Sequence, residues 1–356
     1  MLKNKTILVA PLNWGLGHAT RCIPVIEALI KNGYKIIVAS DGAALSLLRK
    51  EFTQLETIEL PSYNITYPKK GSHFRWKIFL KLPHIRKTIV SEKRLVKKLV
   101  SEGKIDGIIS DNRFGVRSKK IPSAFITHQL NVLTGITTAA TSKIHQKVIK
   151  KFDECWIPDI AGTNNLSGNL GHLESTDLNV KYMGILSRMK KKIVPNKYSV
   201  MVLISGPEPQ RTLLEEIIIT ELKDYDSPVL MVRGVIEAKQ KIKNFGAIKT
   251  INFMQTVELE QAINESKVIV CRSGYTTIMD LSVLEKKAFF IPTPGQFEQE
   301  YLAENLQKKG IAPSCSQANF TSEKIKETVF YDGFKNLDST VDFSNLFSLF
   351  QRERKL

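Results

Sequence analysis

The sequence predicts an α/β protein built as two doubly wound halves, each a parallel sheet flanked by helices. Three observations carry that reading. Short apolar runs such as Lys5 to Ala10 (KTILVA) alternate with helical periodicity at the spacing of β-loop-α-β units. Several of these runs end in glycine-rich or polar turns, at the edge where open parallel sheets place a ligand crevice. The chain of 356 residues is long enough for two domains of ordinary size.

Composition narrows the class. A hydrophobic content of 42% and a charged content of 24% describe a soluble globular protein. No apolar run approaches the ~20 residues needed to span a bilayer, and Met1 to Lys5 leads straight into a core strand, so a cytoplasmic location is expected. Cys22, Cys155, Cys271 and Cys315 are far apart and lack zinc-site spacing, which reads as reduced core thiols. The net charge of +17 is unevenly spread: residues 69–120 hold 16 Lys/Arg against 4 Asp/Glu, and residues 181–356 hold 25 against 21. A basic first half implies an anionic partner or an acidic membrane surface. A non-catalytic nucleic-acid or membrane binder would spread its charge over both halves, so no nucleic-acid partner is expected.

In the first half, strand Lys5 to Ala10 enters the turn Pro11 to His18, followed by helix Ile23 to Ile30 and strand Tyr34 to Ala39. Pro24 falls in the first turn of that helix and Gly33 just past its end, the favoured places for each. Asp41-Gly42 opens a helix running to Glu51, and Leu55 to Leu60 is a strand. From Pro61 the pattern breaks. Phe74, Trp76, Ile78, Phe79, Leu80 and Leu82 then interleave with Arg75, Lys77 and Lys81, an amphipathic pattern suited to an anionic membrane surface. Helix Thr88 to Val100 is basic on one side. Strands Ile105 to Ser110 and Ala124 to Thr127 end at Asp111-Asn112-Arg113 and His128-Gln129, and Glu154 to Pro158 is the last strand of this half.

The second half starts with strand Ser199 to Ile204, the turn Ser205 to Arg211 and helix Leu213 to Leu222, followed by strands Val229 to Arg233 and Ile248 to Phe253. Ile269 to Asn305 is its most informative stretch. A strand ends at Cys271, Arg272-Ser273-Gly274 interrupts it, and a helix begins. Its unpaired N–H groups and positive dipole end, with the hydroxyls of Thr276 and Thr277, form a seat for a pyrophosphate. Asp280, three residues beyond Thr277, suits a pair of sugar hydroxyls. Strand Ala288 to Ile291 ends in Pro292 to Gly295, and the next loop carries Gln296, Glu298 and Gln299. Asp224-Tyr225-Asp226 has the spacing of a metal-binding DxD, but it lies in a helix-to-strand connection away from the ligand edge, so no metal is expected. Thr321 to Phe330 and Asp342 to Gln351 read as closing helices.

Gly15-Leu16-Gly17-His18 through Arg21, and Ser273 through Gln299, resemble the signatures of GT-B glycosyltransferases. The nearest group is the family-28-like one around the lipid-linked N-acetylglucosaminyltransferase of peptidoglycan synthesis. The resemblance implies two Rossmann-like domains facing a central cleft. Residues 1–186 would bind the acceptor and residues 187–356 the nucleotide-sugar donor, with the last helix returning to the first domain. It implies that Gly15 and Gly17 let the backbone approach the sugar, with Arg21 beside them, and that His18 is a general base, a role its pKa suits. Asp111 is the alternative base. Arg113 and His128, beyond strand carboxyl ends, are acceptor-binding candidates with it.

On the donor side, Asp280 becomes the ribose acid and Glu298 with Gln299 the sugar-holding pair. Arg272, Ser273, Gly274, Thr276 and Thr277 would stabilise the departing diphosphate. Ser205, Gly206 and Arg211 would meet the donor phosphates, although Pro207 and Pro209 replace family glycines and remove two N–H donors. Phe253 and Met254 would read the base. The implied activity is inverting, metal-independent transfer from a nucleoside-diphosphate sugar, a UDP-sugar in the first instance, to a hydroxyl of a lipid-linked or polysaccharide acceptor. No cofactor beyond that co-substrate is implied, and the place of action is the inner face of the cytoplasmic membrane. A UDP-sugar 2-epimerase of the same fold is the enzymatic alternative, but its family opens with a Gly-Thr-Arg-Pro-Glu turn that this chain lacks.

Overall fold

A computed structural model describes residues 5–64, 74–235, 237–335 and 340–351, with the side chains of 74–80 excluded. The basic loop at 69–73 and the apolar series from Phe74 to Leu80 therefore lie outside the described side chains. The chain divides into two compact units, one drawn from 5–64, 74–188 and 340–351, the other from 189–335.

The first unit is a seven-stranded, all-parallel sheet. In chain order it contains β1 (Thr6–Pro11), α1 (Gly17–Lys31), β2 (Lys35–Ser40), α2 (Gly42–Glu51), β3 (Glu56–Glu59), α3 (Phe74–Ser101), β4 (Gly107–Asp111), β5 (Ser123–Ile126), α4 (Thr138–Ile149), β6 (Glu154–Ile157) and β7 (Val180–Tyr182). The strand order is β3-β2-β1-β4-β5-β6-β7. β1 reads as an unbroken apolar run because both its faces are covered: Ile7, Leu8, Val9 and Ala10 are all buried. On one face Leu8, Ala10, Ile37 and Ile108 pack against Val96 and Leu99 of α3. On the other lies the C-terminal helix Phe343–Gln351, whose Phe347 and Phe350 rings meet Tyr34 and Trp156. A Cβ at Gly107 would stand 2.5 Å from the Phe350 ring, so that helix packs on β4 only because the position is glycine.

The second unit holds β8 (Tyr198–Leu203), α5 (Gln210–Leu222), β9 (Val229–Val232), β10 (Ile242–Phe245), β11 (Ile248–Ile251), α6 (Thr256–Asn264), β12 (Ser266–Cys271), α7 (Tyr275–Val283), β13 (Lys287–Phe290) and α8 (Phe297–Lys308). The C-terminal helix is α9. The order is β10-β11-β9-β8-β12-β13, parallel except for β10, which runs antiparallel to β11. Val200, Val202, Leu214, Ile218 and Val270 anchor its core.

In each sheet the chain first builds outward on one side and then crosses to the other. The reversal falls between β1 and β4 in the first sheet and between β8 and β12 in the second. These two switch points are where open α/β sheets leave a crevice beyond the strand carboxyl ends.

Several local expectations are corrected. α1 begins at Gly17 rather than Ile23, which puts Pro24 inside the helix and removes its hydrogen bond to the Thr20 carbonyl. The run 154–157 is not the last strand of its unit, because β7 pairs with it in parallel. The β10–β11 hairpin was not expected: β10 is only four residues long and wholly exposed, including its apolar Ile242 and Phe245, and a Cβ at Gly246 in its turn would strike the Lys223 carbonyl at 2.0 Å. Helices α4 and α6 were also missed. The threonines at the start of α4 weaken its helical pattern, and α6 is announced by a Gln255–Glu258 capping box rather than by periodicity. Ser322–Phe330 is a 3₁₀ segment, not an α-helix.

Candidate active site

At the first switch point, the turn after β1 delivers His18 in the opening turn of α1, and the end of β4 delivers Asp111. His18 Nδ1 lies 2.8 Å from Asp111 Oδ1. Arg21, one turn along α1, donates Nε to Asp111 Oδ2 at 2.6 Å, pairs through Nη2 with Asp111 Oδ1, and places Nη1 3.0 Å from His128 Nδ1. Asp111 is fully buried, Arg21 is 2% exposed, and the His18 side chain keeps 15% of its surface. Arg21 Nη2 also lies 2.8 Å from His18 Nδ1. In the tautomer that gives Nδ1–H to Asp111, the imidazole presents a bare Nε2, which has no partner among the described residues.

Burial pushes the His18 pKa down and wins over the raising effect of Asp111, while Arg21 lowers it further. The ring is therefore neutral at physiological pH. Burial alone would raise Asp111, but the charges of Arg21 and His18 hold its carboxyl well below the usual carboxylate range. Of the two candidate bases, Asp111 is thus an ionised, interior group gripped by Arg21, and His18 is the more exposed, with a neutral ring at physiological pH.

Arg113 is placed differently from its expected role. It is fully buried, with Nε on Glu92 at 2.8 Å, Nη1 on Asp41 at 2.7 Å and Nη2 on the Pro61 carbonyl at 2.7 Å. Its guanidinium knits β2, α3 and β4 together instead of facing a ligand. Arg21 is likewise spent on internal partners. His128 is 7% exposed and belongs to the Arg21 network. Gly15, at φ +74, stands in open space, and Gly17 begins α1.

At the second switch point, the turns after β8 and β12 meet. Gly274 caps α7 in an extended conformation, and a Cβ there would meet nothing nearer than Thr277 Oγ1 at 4.0 Å, so the helix N-terminus is open to a ligand. Gly206, at φ +106, has Thr293 Oγ1 as its nearest neighbour, 3.6 Å from a built Cβ. That hydroxyl, which the sequence did not single out, is buried without a partner among the described residues. Thr276, Thr277 and Asp280 are half-buried on α7. Glu298 and Gln299 sit in the first turn of α8, where Gln299 Oε1 accepts from Thr293 N at 2.8 Å. Phe253 and Met254 follow β11 and are half-buried.

Three donor-side residues take other partners. Ser273 is fully buried and its hydroxyl donates to the Gln299 carbonyl at 2.7 Å, tying the turn to α8. Arg211 donates to Glu208 at 2.6 Å and to Glu215 at 2.9 Å, so its charge is already satisfied. Arg272 is 1% exposed and binds carbonyls and Gln317 rather than facing outward. The DxD-like Asp224 and Asp226 lie between α5 and β9, at the opposite edge of the sheet from the switch point.

Two such sheets, each with a furnished switch point, are the architecture of the GT-B fold, and comparison with known proteins agrees. Residues 211–339 match the glycosyltransferase family 28 C-terminal domain. The chain is 23% identical over 337 residues to a UDP-N-acetylglucosamine–N-acetylmuramyl-(pentapeptide) pyrophosphoryl-undecaprenol N-acetylglucosamine transferase of Haemophilus influenzae strain PittGG, covering 91% of this chain and 89% of that one. It is 24% identical over 349 residues to an uncharacterized glycosyltransferase of Methanosarcina acetivorans, covering 90% and 89%. The crystal structure of Acinetobacter baumannii MurG superposes with a TM-score of 0.57 at 16% identity, over 98% of this chain and 100% of that chain, which supports the fold. The chain is a glycosyltransferase that resembles the MurG type.

Proposed function

We propose that the chain transfers a sugar from a nucleoside-diphosphate sugar, a UDP-sugar in the first instance, to a hydroxyl of a lipid-linked acceptor. The observation that carries this reading is the His18–Asp111 pair at the first switch point, a neutral imidazole held by a buried carboxylate. In this scheme His18 Nε2 takes the acceptor proton as that oxygen attacks the anomeric carbon. The carbon–oxygen bond to the diphosphate breaks on the opposite face, so the anomeric centre inverts and the nucleotide leaves with the bonding electrons. Backbone N–H groups at the start of α7, with Thr276 and Thr277, receive the developing charge, a contribution of about 3–4 kcal/mol per preorganised donor without recourse to a metal. Asp280 holds the ribose, Glu298 and Gln299 the sugar, and the backbone at Phe253 and Met254 the base.

An anionic, lipid-linked acceptor is supported by α3, where Arg86, Lys87, Lys93, Arg94, Lys97 and Lys98 are all exposed. No helix among the described residues is long and apolar enough to cross a membrane. The association proposed through the basic face of α3 is peripheral, on the cytoplasmic side.

A metal-free thermal-shift panel of UDP, GDP, TDP and UDP-sugars tests the donor class. A ligand at ~100 times its Kd adds about 2.7 kcal/mol. Stabilisation by UDP that Asp280→Ala removes is the expected result, and indifference to every nucleotide refutes the reading. The anomeric configuration of the product, read by NMR, tests inversion.

A further inference from the structure

The second switch point contains a buried cation that no anion in the described chain neutralises. Arg272 is 1% exposed, yet every acceptor it finds is neutral: the carbonyls of Ile291 at 3.0 Å, Pro292 at 3.1 Å and Gln210 at 2.9 Å, and Gln317 Oε1 at 2.6 Å. Its Nε is buried with no partner among the described residues. Burial lowers its pKa to about 10, which leaves it charged at neutral pH.

The other buried arginines among the described residues behave differently. Arg21 has Asp111, and Arg113 has Glu92 and Asp41. A buried charge without an opposite is strongly destabilising, so its retention points to an anion that arrives from outside.

Gln317 is the residue that maintains this state. It is 7% exposed on the 3₁₀ turn Gln317–Asn319, accepts from Arg272 through its amide oxygen, and donates its amide nitrogen to Gln210 Oε1 at 3.2 Å. A glutamate of the same shape at 317 would complete an ion pair with Arg272. The chain uses the amide instead. Meanwhile the guanidinium ties together the start of α5, the end of β13 and residue 317, all beside the Ser273-Gly274 turn.

We propose that Gln317 keeps Arg272 uncompensated, so that this crevice holds a full positive charge in reserve for the diphosphate of the donor. This rests on the reading that the second unit binds a nucleoside-diphosphate sugar. Both residues are positioning residues: Arg272 acts through its field and through the loops it ties, without touching the ligand. The attraction is confined to the diphosphate and is absent for the nucleoside alone.

The test is calorimetric titration of the full chain with UDP and with uridine. For Gln317→Glu the expected result is a loss of about tenfold or more in UDP affinity with uridine affinity unchanged, since an ion pair cancels most of the field. Thermal stability of the free protein should rise. Gln317→Leu removes the hydrogen bonds but adds no charge, and its UDP-to-uridine affinity ratio should stay within about twofold of wild type. Arg272→Gln should lose the preference for UDP, and serves as the test if Gln317→Glu does not fold. An unchanged ratio in Gln317→Glu or Arg272→Gln, or an equal loss in Gln317→Leu, overturns the proposal while leaving the donor reading intact. A wild-type chain that binds neither UDP nor uridine overturns the donor reading and the proposal with it.

Discussion

At the switch point of the first unit each buried charge meets its opposite, whereas at that of the second a buried arginine meets only neutral acceptors. Asp111 is gripped by Arg21 and aligned with His18 before any ligand arrives, and Arg272 is held by three carbonyls and an amide. Under the proposed function, the same topology serves two electrostatic purposes. A proton-transfer site needs its charges balanced, so that a histidine stays neutral and oriented. A seat for a diphosphate gains from imbalance, because the ligand supplies the missing charge. Whether a crevice is internally neutral or internally short of an anion therefore separates the two tasks more clearly than sheet order does.

The sharpest way to break the comparison is at His18. His18→Ala should lower turnover by ~10²- to 10⁴-fold while leaving UDP-induced stabilisation unchanged, as steady-state rates and thermal shifts would show. If nucleotide binding falls with turnover, the division of labour between the two units is wrong.

Asp111→Asn probes the balanced side. It strands the Arg21 charge in the interior and should cost about 3–5 kcal/mol in denaturant unfolding. Asp111 also raises the His18 pKa, so in this variant the acid limb of kcat/KM should move to lower pH while the maximum falls. The wild-type limb itself should lie below the ordinary histidine value of about 6.5.

Stability should follow pH with a definite sign. The folded His18 pKa is depressed, so its contribution is complete above about 6.5 and is lost as pH falls, where the unfolded chain binds a proton the folded chain resists. The folded Asp111 pKa is also depressed, so its stabilisation is complete above the unfolded value of about 3.9 and is lost as pH drops through the folded one. Acid unfolding measured on wild type and Asp111→Asn should show the second loss only in wild type.

On the unbalanced side the effects are smaller. Asp280→Ala should weaken UDP about 10- to 100-fold if it holds the ribose through charge-assisted hydrogen bonds worth about 1.5–3 kcal/mol. Gly274→Ala should change stability by no more than about 0.5 kcal/mol, because its extended backbone accepts any residue and the new Cβ meets only Thr277. UDP affinity should still fall, by about fivefold, as the methyl group intrudes on the phosphate seat.

The sequence made the α/β layout legible because buried parallel strands write themselves as apolar runs, and because glycine and polar turns mark strand ends. It also brought His18, Asp111 and Asp280 forward, since each lies just past a strand or on the helix that follows one. What it could not show was where arginine side chains go. Arg21, Arg113 and Arg211 look alike on paper, but their partners are ninety residues away at Asp111, seventy-two away at Asp41, or one turn away at Glu215. Only the fold reveals that they are spent internally. Gln317 was invisible for the same reason: its importance comes from the charge it faces, and from the charge it does not itself carry.

The position of α9 bears on how the protein is made. Phe350 packs on Gly107 and beside Trp156, and its carbonyl accepts from Lys5 Nζ at 2.7 Å, so the unit synthesised first contains residues synthesised last. Between Arg188 and Phe350 a ribosome adding ~5–20 residues per second needs roughly 10–30 s. During that interval the first sheet lacks only the strip of cover that α9 adds beside α1, over Gly107 and Trp156, while the second unit is drawn from its own later segment. The half of the molecule that emerges first is therefore completed last, and the apolar strip that α9 covers stays open until the final residues arrive.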